Sequence, residues 1–370
     1  MDFRGRLFLR RDPYGNKGGD GLFVRAMREA VEVNAAGCPE YAAILASAGF
    51  DPDDIKTIDD IALLPPVPTL YLKRRRLFSV PEKKLIVKAT SSGTHGSRSV
   101  VGLDMKTLLY GLGMMFRFFR YHGVISLIPV NYIVLGYEPK GGEEVGAVKT
   151  AYGTTKFAPA LHREYALKAK DGGYEPNYEG VYSALMRYSA KPFPVRFVGF
   201  PAYMYFLCDS LKERGVKLKL PKRSAVLLGG GWKQFSDKEI SKEEFYSLVE
   251  EYLGIKRERV FEFYSAAEHP QAYLKCPCGH FHVPAYSRVV IRSAEDLSPV
   301  PDGEPGLLNF VSPLVHSMPI NSVLTDDIAV LSHEKCPCGL EAPYFELLGR
   351  AGAEGVRTCA AEAAELLRRA

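Results

Sequence analysis

Ala89-Thr90-Ser91-Ser92-Gly93-Thr94-His95-Gly96-Ser97-Arg98-Ser99 follows a short β-branched run, Leu85 to Val87, and precedes a helical pattern from Lys106 to Tyr121. A turn of this composition suits an anion. Gly93 and Gly96 let the backbone approach a phosphate closely, the hydroxyls donate to its oxygens, and Arg98 adds a charge-assisted donor. The same residue types also build ordinary surface turns, so the neighbouring segments have to decide. Outward from the turn, short extended runs at Val124 to Leu127, Tyr132 to Leu135, Val195 to Val198, Ala225 to Leu228 and Val260 to Phe263 are separated by longer stretches. Helical patterns fill several of these, at Tyr178 to Tyr188, Tyr203 to Arg214 and Lys242 to Leu253. Strand and helix in alternation predict an α/β fold with a largely parallel sheet covered on both faces.

The texture changes toward either end. Gly21 to Ala48 carries apolar residues at helical spacing, and Pro65, Pro66 and Pro68 interrupt the pattern before Thr69. After His269, runs such as Ser287 to Ile291, Leu307 to Val311 and Ser322 to Leu331 are short, extended and separated by turns, which predicts an antiparallel β-rich subdomain. The expected division is a helical N-terminal segment over 1–68, an α/β core over 69–270, a β-rich subdomain over 271–349 and a short tail over 350–370.

Two identical tetrads lie in the β-rich part: Cys276-Pro277-Cys278-Gly279 and Cys336-Pro337-Cys338-Gly339. Paired thiolates at this spacing favour tetrahedral zinc, and the glycine after each pair permits the tight turn that such a site needs. His280 and His282 are close enough in sequence to replace one thiolate, so the choice between Cys278 and His282 stays open. Four protein ligands would fill the coordination sphere, and the zinc would be structural. The chain has seven cysteines, an odd count that suits metal ligation in a reducing cytoplasm better than a disulfide framework.

Composition narrows the remaining classes. Hydrophobic residues make up 46% and charged residues 25%, as expected of a folded globular protein rather than a disordered one. Forty-eight basic residues stand against forty-three acidic ones, and a net charge of +5 supplies no field that would argue for nucleic acid or an anionic membrane. The dense run Lys73 to Arg76 reads as a solvated face beside the proline-rich stretch. The amino terminus has no secretory core and no stretch is apolar enough to span a bilayer, so a cytoplasmic location without a membrane span is expected.

Five segments in order carry a family resemblance. Ser91 to Gly96 resembles the SSGTTG loop of adenylate-forming enzymes, with His95 where threonine is usual. Gly229-Gly230-Gly231-Trp232-Lys233 resembles the turn beside the adenine pocket, and Tyr264 to Glu268 resembles the YGxTE segment. Thr325-Asp326-Asp327 resembles the TGD element, and Gly349-Arg350 the start of the hinge. Within that superfamily the chain is most similar to the acyl-protein synthetases of the LuxE type. The resemblance implies the family's large domain with a parallel-sheet core and a zinc-bearing β-rich subdomain. It implies that Ser91, Ser92, Gly93, Thr94, His95 and Gly96 hold the phosphates of ATP, and that Glu268 contacts Mg2+. It also implies that Gly230, Gly231 and Tyr264 border the adenine, and that Asp327 with Arg350 holds the ribose. An imidazole at His95 would make the phosphate contact pH-dependent near its ordinary pKa of about 6.5.

Only a short stretch follows Arg350, so the C-terminal lid and its adenylation lysine are expected to be largely missing. Arg98, Lys233 or a partner subunit would then stabilise the charge developing on phosphate. Cys359 lies at an expected helix start behind Thr358, where the helix dipole favours a thiolate although Glu362 and Glu365 oppose it. The resemblance implies that Cys359 receives the acyl group and passes it to an acyl-CoA reductase-type partner. A small packing residue is the alternative reading of that position. Met114 to Phe119 and Phe200 to Leu207 are apolar enough to line an acyl tunnel, though such stripes are more often core. A long-chain fatty acid follows from the likeness alone. Competing readings are a phenylacetate-type coenzyme A ligase, a zinc-dependent nucleic-acid-binding module and a nucleotide-binding scaffold without turnover.

Overall fold

The computed structural model describes residues 2–15, 19–90, 99–140, 146–170, 173–230, 232, 235 and 238–351. The chain forms two compact units, one made of Met1–Tyr121 with Ala266–Ala370 and the other of His122–Ser265.

The first unit opens with helices α1 (Phe3–Phe8), α2 (Gly19–Gly37) and α3 (Pro39–Ser47). Along α2 the buried residues Phe23, Met27, Ala30, Val31 and Asn34 recur at three- and four-residue intervals, which sets one face of the helix inward. Asn34 is polar on that face. Its amide donates to the Val315 carbonyl at 3.0 Å and to Asn321 Oδ1 at 2.7 Å, so the group that costs energy to bury is compensated by segments almost three hundred residues away. A short strand β1 (Val67–Pro68) leads into α4 (Thr69–Arg74). The antiparallel strands β2 (Leu85–Thr90) and β3 (Val100–Asp104) follow, and then α5 (Met105–Tyr121).

The segment from Ser91 onward therefore connects two paired strands, Thr90 lying opposite Val100. This corrects the expected passage from strand directly to helix. Val100 and Val101 are β-branched and extend the ribbon by one strand. The helix starts only after Asp104, whose side chain accepts from the Thr107 amide at 2.9 Å.

The second unit holds β4 (Val130–Tyr137), α6 (Gly146–Thr154), β5 (Ala160–Lys170), β6 (Gly173–Pro176), α7 (Tyr178–Ser189), β7 (Val195–Gly199), α8 (Pro201–Glu213), β8 (Ala225–Gly229), α9 (Lys242–Leu253) and β9 (Val260–Ala266). Its strands run in the order β9-β8-β7-β4-β5-β6, all parallel neighbours except the antiparallel pair β5/β6. Strands β4, β7 and β8 are almost continuously buried, as a sheet covered on both faces requires. Their side chains Ile133, Phe197 and Val226 pack with Leu185 of α7, Cys208 of α8 and Val249 of α9. Val124 to Leu127 is not a strand, and Leu127 is 90% exposed. Conversely β5 has no expectation behind it, because His162, Arg163, Glu164 and Lys168 break its apolar pattern.

The returning chain adds β10 (His269–Leu274), β11 (Phe281–His282), β12 (Arg288–Arg292), β13 (Gly306–Val311), β14 (Ser322–Ser332) and β15 (Tyr344–Arg350) to the first unit. Strands β11-β15-β14-β13-β12 form an antiparallel sheet in that order, and β1 joins β14 in parallel. Antiparallel pairing over this stretch agrees with its turn-rich sequence. Arg292, the last residue of β12, is buried and donates to Asn309 Oδ1 at 2.7 Å and to the carbonyls of Leu297, Ala62 and Leu64 at 2.9, 3.0 and 3.0 Å. A buried charge is tolerated there because its donors are used.

Candidate functional site

Ser99 ends the glycine-rich segment. Ser99 and Glu268 are both buried, and the serine hydroxyl donates to the Glu268 carboxylate. Glu268 stands immediately before β10, so one foot of the turn is tied to the acidic residue expected to meet a metal-bound phosphate. Ser91, Ser92, Gly93, Thr94, His95, Gly96 and Arg98 themselves lie outside the described residues. Ser99 lies in the same segment, but the resemblance implies no role for it. A hydroxyl one residue beyond Arg98 gives no local signal of a partner 169 positions away.

Asp327 and Arg350 are brought together by strand pairing. They face each other in the β14/β15 register, with Arg350 Nε 3.7 Å from Asp327 Oδ1. Thr325 Oγ1 accepts from the Asp327 amide at 3.2 Å and donates to the Leu308 carbonyl at 3.0 Å, which fixes the backbone under the aspartate. Both side chains keep some exposure, so the pair is worth little as a salt bridge. The pairing sets a carboxylate and a guanidinium side by side on neighbouring strands.

In the second unit, Gly229 closes β8 opposite Phe263 of β9, so Gly230, just past β8, and Tyr264, near the end of β9, lie toward the carboxyl ends of adjacent parallel strands. Ligands of open parallel sheets bind at those ends. Gly230 has φ 75°, a conformation a residue with Cβ adopts reluctantly, and this lets the chain turn sharply off the strand. Trp232, just beyond, is buried against Tyr205 and Phe245 at ring distances of 5.6 and 6.5 Å and anchors the turn. Gly231 and Lys233 lie outside the described residues, as does Cys359.

The tetrads converge. Cys276, His282, Cys336 and Cys338 place their ligand atoms within 4.8 Å of one another. Cys276 Sγ lies 3.8 Å from Cys336 Sγ, and Cys338 Sγ 3.2 Å from His282 Nε2. A tetrahedral zinc with sulfur ligands at about 2.3 Å separates its sulfurs by roughly 3.8 Å, so the donor set fits such an ion. His282 is fully buried, and its Nδ1 lies 2.9 Å from the Ala342 carbonyl, which orients Nε2 toward the sulfurs. Gly279 and Gly339 have φ 95° and 90°, which provides the turn expected after each pair. Burial opposes ionisation of Cys276, but hydrogen bonds from His282 and the backbone outweigh it and bring the thiol down to about 6. Burial instead pushes the neighbouring Cys336 and Cys338 thiols up, so the first proton of the cluster is lost from Cys276.

Of the two donors left open by the sequence, His282 lies in the group, whereas Cys278 is exposed and outside it. The reason is register. β11 pairs with β15 so that His282 lies opposite Tyr344, just after the second tetrad, while the turn at Gly279 leaves Cys278 on the outside.

His269, next to Glu268, is almost completely buried. Its ring stacks on Phe310 at 4.6 Å, and Nε2 lies 2.8 Å from the Tyr273 hydroxyl. Burial alone pushes its pKa down to about 3. An unfolded histidine titrates near 6.5, so between those values the unfolded chain binds the extra proton and stability is lost as pH falls. At pH 5 the loss from this residue is about 2 kcal/mol. Urea denaturation at pH 7 and pH 5 should show His269→Gln recovering part of the drop; an unchanged slope would mean that His269 is solvated.

The sequence model of a family described as acyl-protein synthetase, LuxE, matches residues 21–367. The long-chain-fatty-acid–luciferin-component ligase of Aliivibrio fischeri is 23% identical over 319 residues, which cover 86% of this chain and 81% of that protein. The phenylacetate-coenzyme A ligase of Thermus thermophilus is 22% identical, with 81% of this chain and 63% of that protein covered. Among solved structures, an open conformation of 2-hydroxyisobutyryl-CoA ligase superimposes with a TM-score of 0.65 at 16% identity, over 94% of this chain and 79% of that one. That likeness establishes an α/β fold similar to adenylate-forming ligases. With the family pattern running through nearly the whole sequence, the chain belongs to the LuxE family of acyl-protein synthetases.

Proposed function

We propose that this protein activates a long-chain fatty acid with ATP as the acyl adenylate and then transfers the acyl group to the thiol of Cys359. In the first step the carboxylate oxygen attacks the α-phosphorus and pyrophosphate leaves. In the second the Cys359 thiolate attacks the acyl carbon and AMP leaves, so one difficult condensation becomes two easier displacements. Ser91 to Gly96 would hold the phosphates, Glu268 the Mg2+, Asp327 with Arg350 the ribose, and Gly230, Gly231 and Tyr264 the adenine. Arg98 and Lys233 would offset charge on the transferred phosphoryl group.

The observation that carries this reading is the hydrogen bond from Ser99 to Glu268, because it ties the foot of an anion-binding turn to a buried carboxylate suited to a hard cation. Zinc at Cys276, His282, Cys336 and Cys338 would be structural, since four protein ligands leave no open position. A partner reductase would remove the acyl group, and the cytoplasm would keep the clustered thiols reduced. Among the described residues no helix is long and apolar enough to cross a membrane.

Carboxylate-dependent exchange of labelled pyrophosphate into ATP, run over fatty and aromatic acids, tests the first step. Labelled acyl group should stay on the denatured protein and disappear in Cys359→Ser. Likeness to a phenylacetate-coenzyme A ligase supports a second reading with coenzyme A as the thiol. Acyl transfer to added coenzyme A, undiminished in Cys359→Ser, would decide for it.

A further inference from the structure

The amino-terminal edge of the parallel sheet in the second unit carries a cavity that no step above uses. It has a volume of about 210 Å³ and is lined by Gly123, Ser126, Pro194, Arg196, Arg223 and Arg259 among others, with no acidic residue in its wall. Arg196 is the second residue of β7, Arg223 lies two residues before β8, and Arg259 immediately before β9. Three neighbouring parallel strands thus each bring one guanidinium to the same end. Gly230 and Tyr264 are at the opposite end, separated by a strand length of about 16 Å for five residues.

Arg196 is only 3% exposed, and its Nε and Nη1 are buried without a hydrogen-bond partner. The Tyr132 hydroxyl sits beside it and favours the charged form, but burial outweighs that and lowers the Arg196 pKa from its ordinary value. Arg259 is held in place by donating to the Ser224 and Arg223 carbonyls at 3.4 and 3.1 Å. Burial lowers the pKa of Arg259, the nearby charges of Arg196 and Arg223 lower it further, and Glu258 offsets them in part. Burying an unpaired guanidinium beside two others is unfavourable unless an anion compensates them.

The geometry points to a second ligand site here, for a free phosphate or pyrophosphate anion held by Arg196, Arg223 and Arg259. A single carboxylate would leave two of the three charges uncompensated, whereas a tetrahedral oxyanion bears more than one charge and offers acceptors to several guanidinium forks. The cavity is large enough for several waters, and therefore for such a group. The site is independent of the adenylation reading, because it lies at the other end of the strands.

The thermal midpoint of the full chain, measured against inorganic phosphate and, separately, pyrophosphate at constant ionic strength set with sodium chloride, tests this. A ligand of the folded state raises the midpoint saturably. The expected result is saturation in the millimolar range or below, with apparent affinity at least tenfold weaker in Arg223→Gln, whose side chain is exposed and whose loss should leave the fold intact. Arg196→Met should abolish the response; if that variant does not fold, Arg223→Gln carries the test. Whichever anion binds more tightly identifies a one- or two-phosphoryl site. No midpoint rise beyond that of chloride, or an equal rise in wild type and Arg223→Gln, would overturn the assignment.

Discussion

Glu268→Gln is expected to lower fatty-acid-dependent pyrophosphate exchange by a hundredfold or more while the protein remains folded. The substitution is nearly isosteric, and the Ser99 hydroxyl can still donate to the amide oxygen, so the packing around the foot of the glycine-rich turn should persist. What disappears is the negative charge. A neutral amide is a poor ligand for Mg2+, and an electrostatic group aimed at a phosphoryl transition state is worth on the order of 10²–10³ in rate. Ser99→Ala makes a useful companion, because it keeps the carboxylate and removes only its orienting donor; a loss of about tenfold is expected. Exchange kinetics of the two variants, with circular dichroism as the control for folding, provide the readout. Full activity in Glu268→Gln would mean that the carboxylate is a packing residue and that the cation is held elsewhere.

The second large effect concerns the cysteine cluster, where four substitutions should divide sharply. Cys276→Ser, Cys336→Ser and His282→Ala each remove a donor whose ligand atom lies in the group, and each should reduce bound zinc and destabilise the first unit by more than about 3 kcal/mol. Cys278→Ser should leave metal content and stability within about 0.5 kcal/mol of the parent, because its side chain is exposed and outside the cluster. Metal analysis by mass spectrometry and urea unfolding measure both quantities. A protein in which Cys278→Ser loses metal and His282→Ala keeps it would show that the first tetrad ligates through both of its cysteines.

That contrast between Cys278 and His282 illustrates what local spacing can convey. A C-P-C-G tetrad announces metal chemistry because two thiols and a turn-forming glycine are contiguous, and the left-handed φ of Gly279 and Gly339 is the expected consequence. Which donors converge depends on the pairing of β11 with β15, a contact between residues about sixty positions apart. The same limit applies to the glycine-rich turn. Its composition was legible, but β3 hides in five residues too few for a period, and Glu268 became its neighbour only through folding. The strands at Val195 and Ala225 were plain because both faces are covered and every residue is apolar or nearly so, whereas β5 mixes charge with small residues and has no readable pattern.

From its order of residues alone, this chain declared an α/β alternation, an adenylate-forming set of motifs and a paired-thiol metal signature, since each is written in contiguous backbone chemistry. Tertiary structure alone brings Met1–Tyr121 and Ala266–Ala370 into one unit, places His282 rather than Cys278 beside the sulfurs, and gathers three arginines at the amino ends of neighbouring strands. The physical reason is that strand register moves side chains together in steps of two residues across long loops, and no local periodicity records which partner a strand will take.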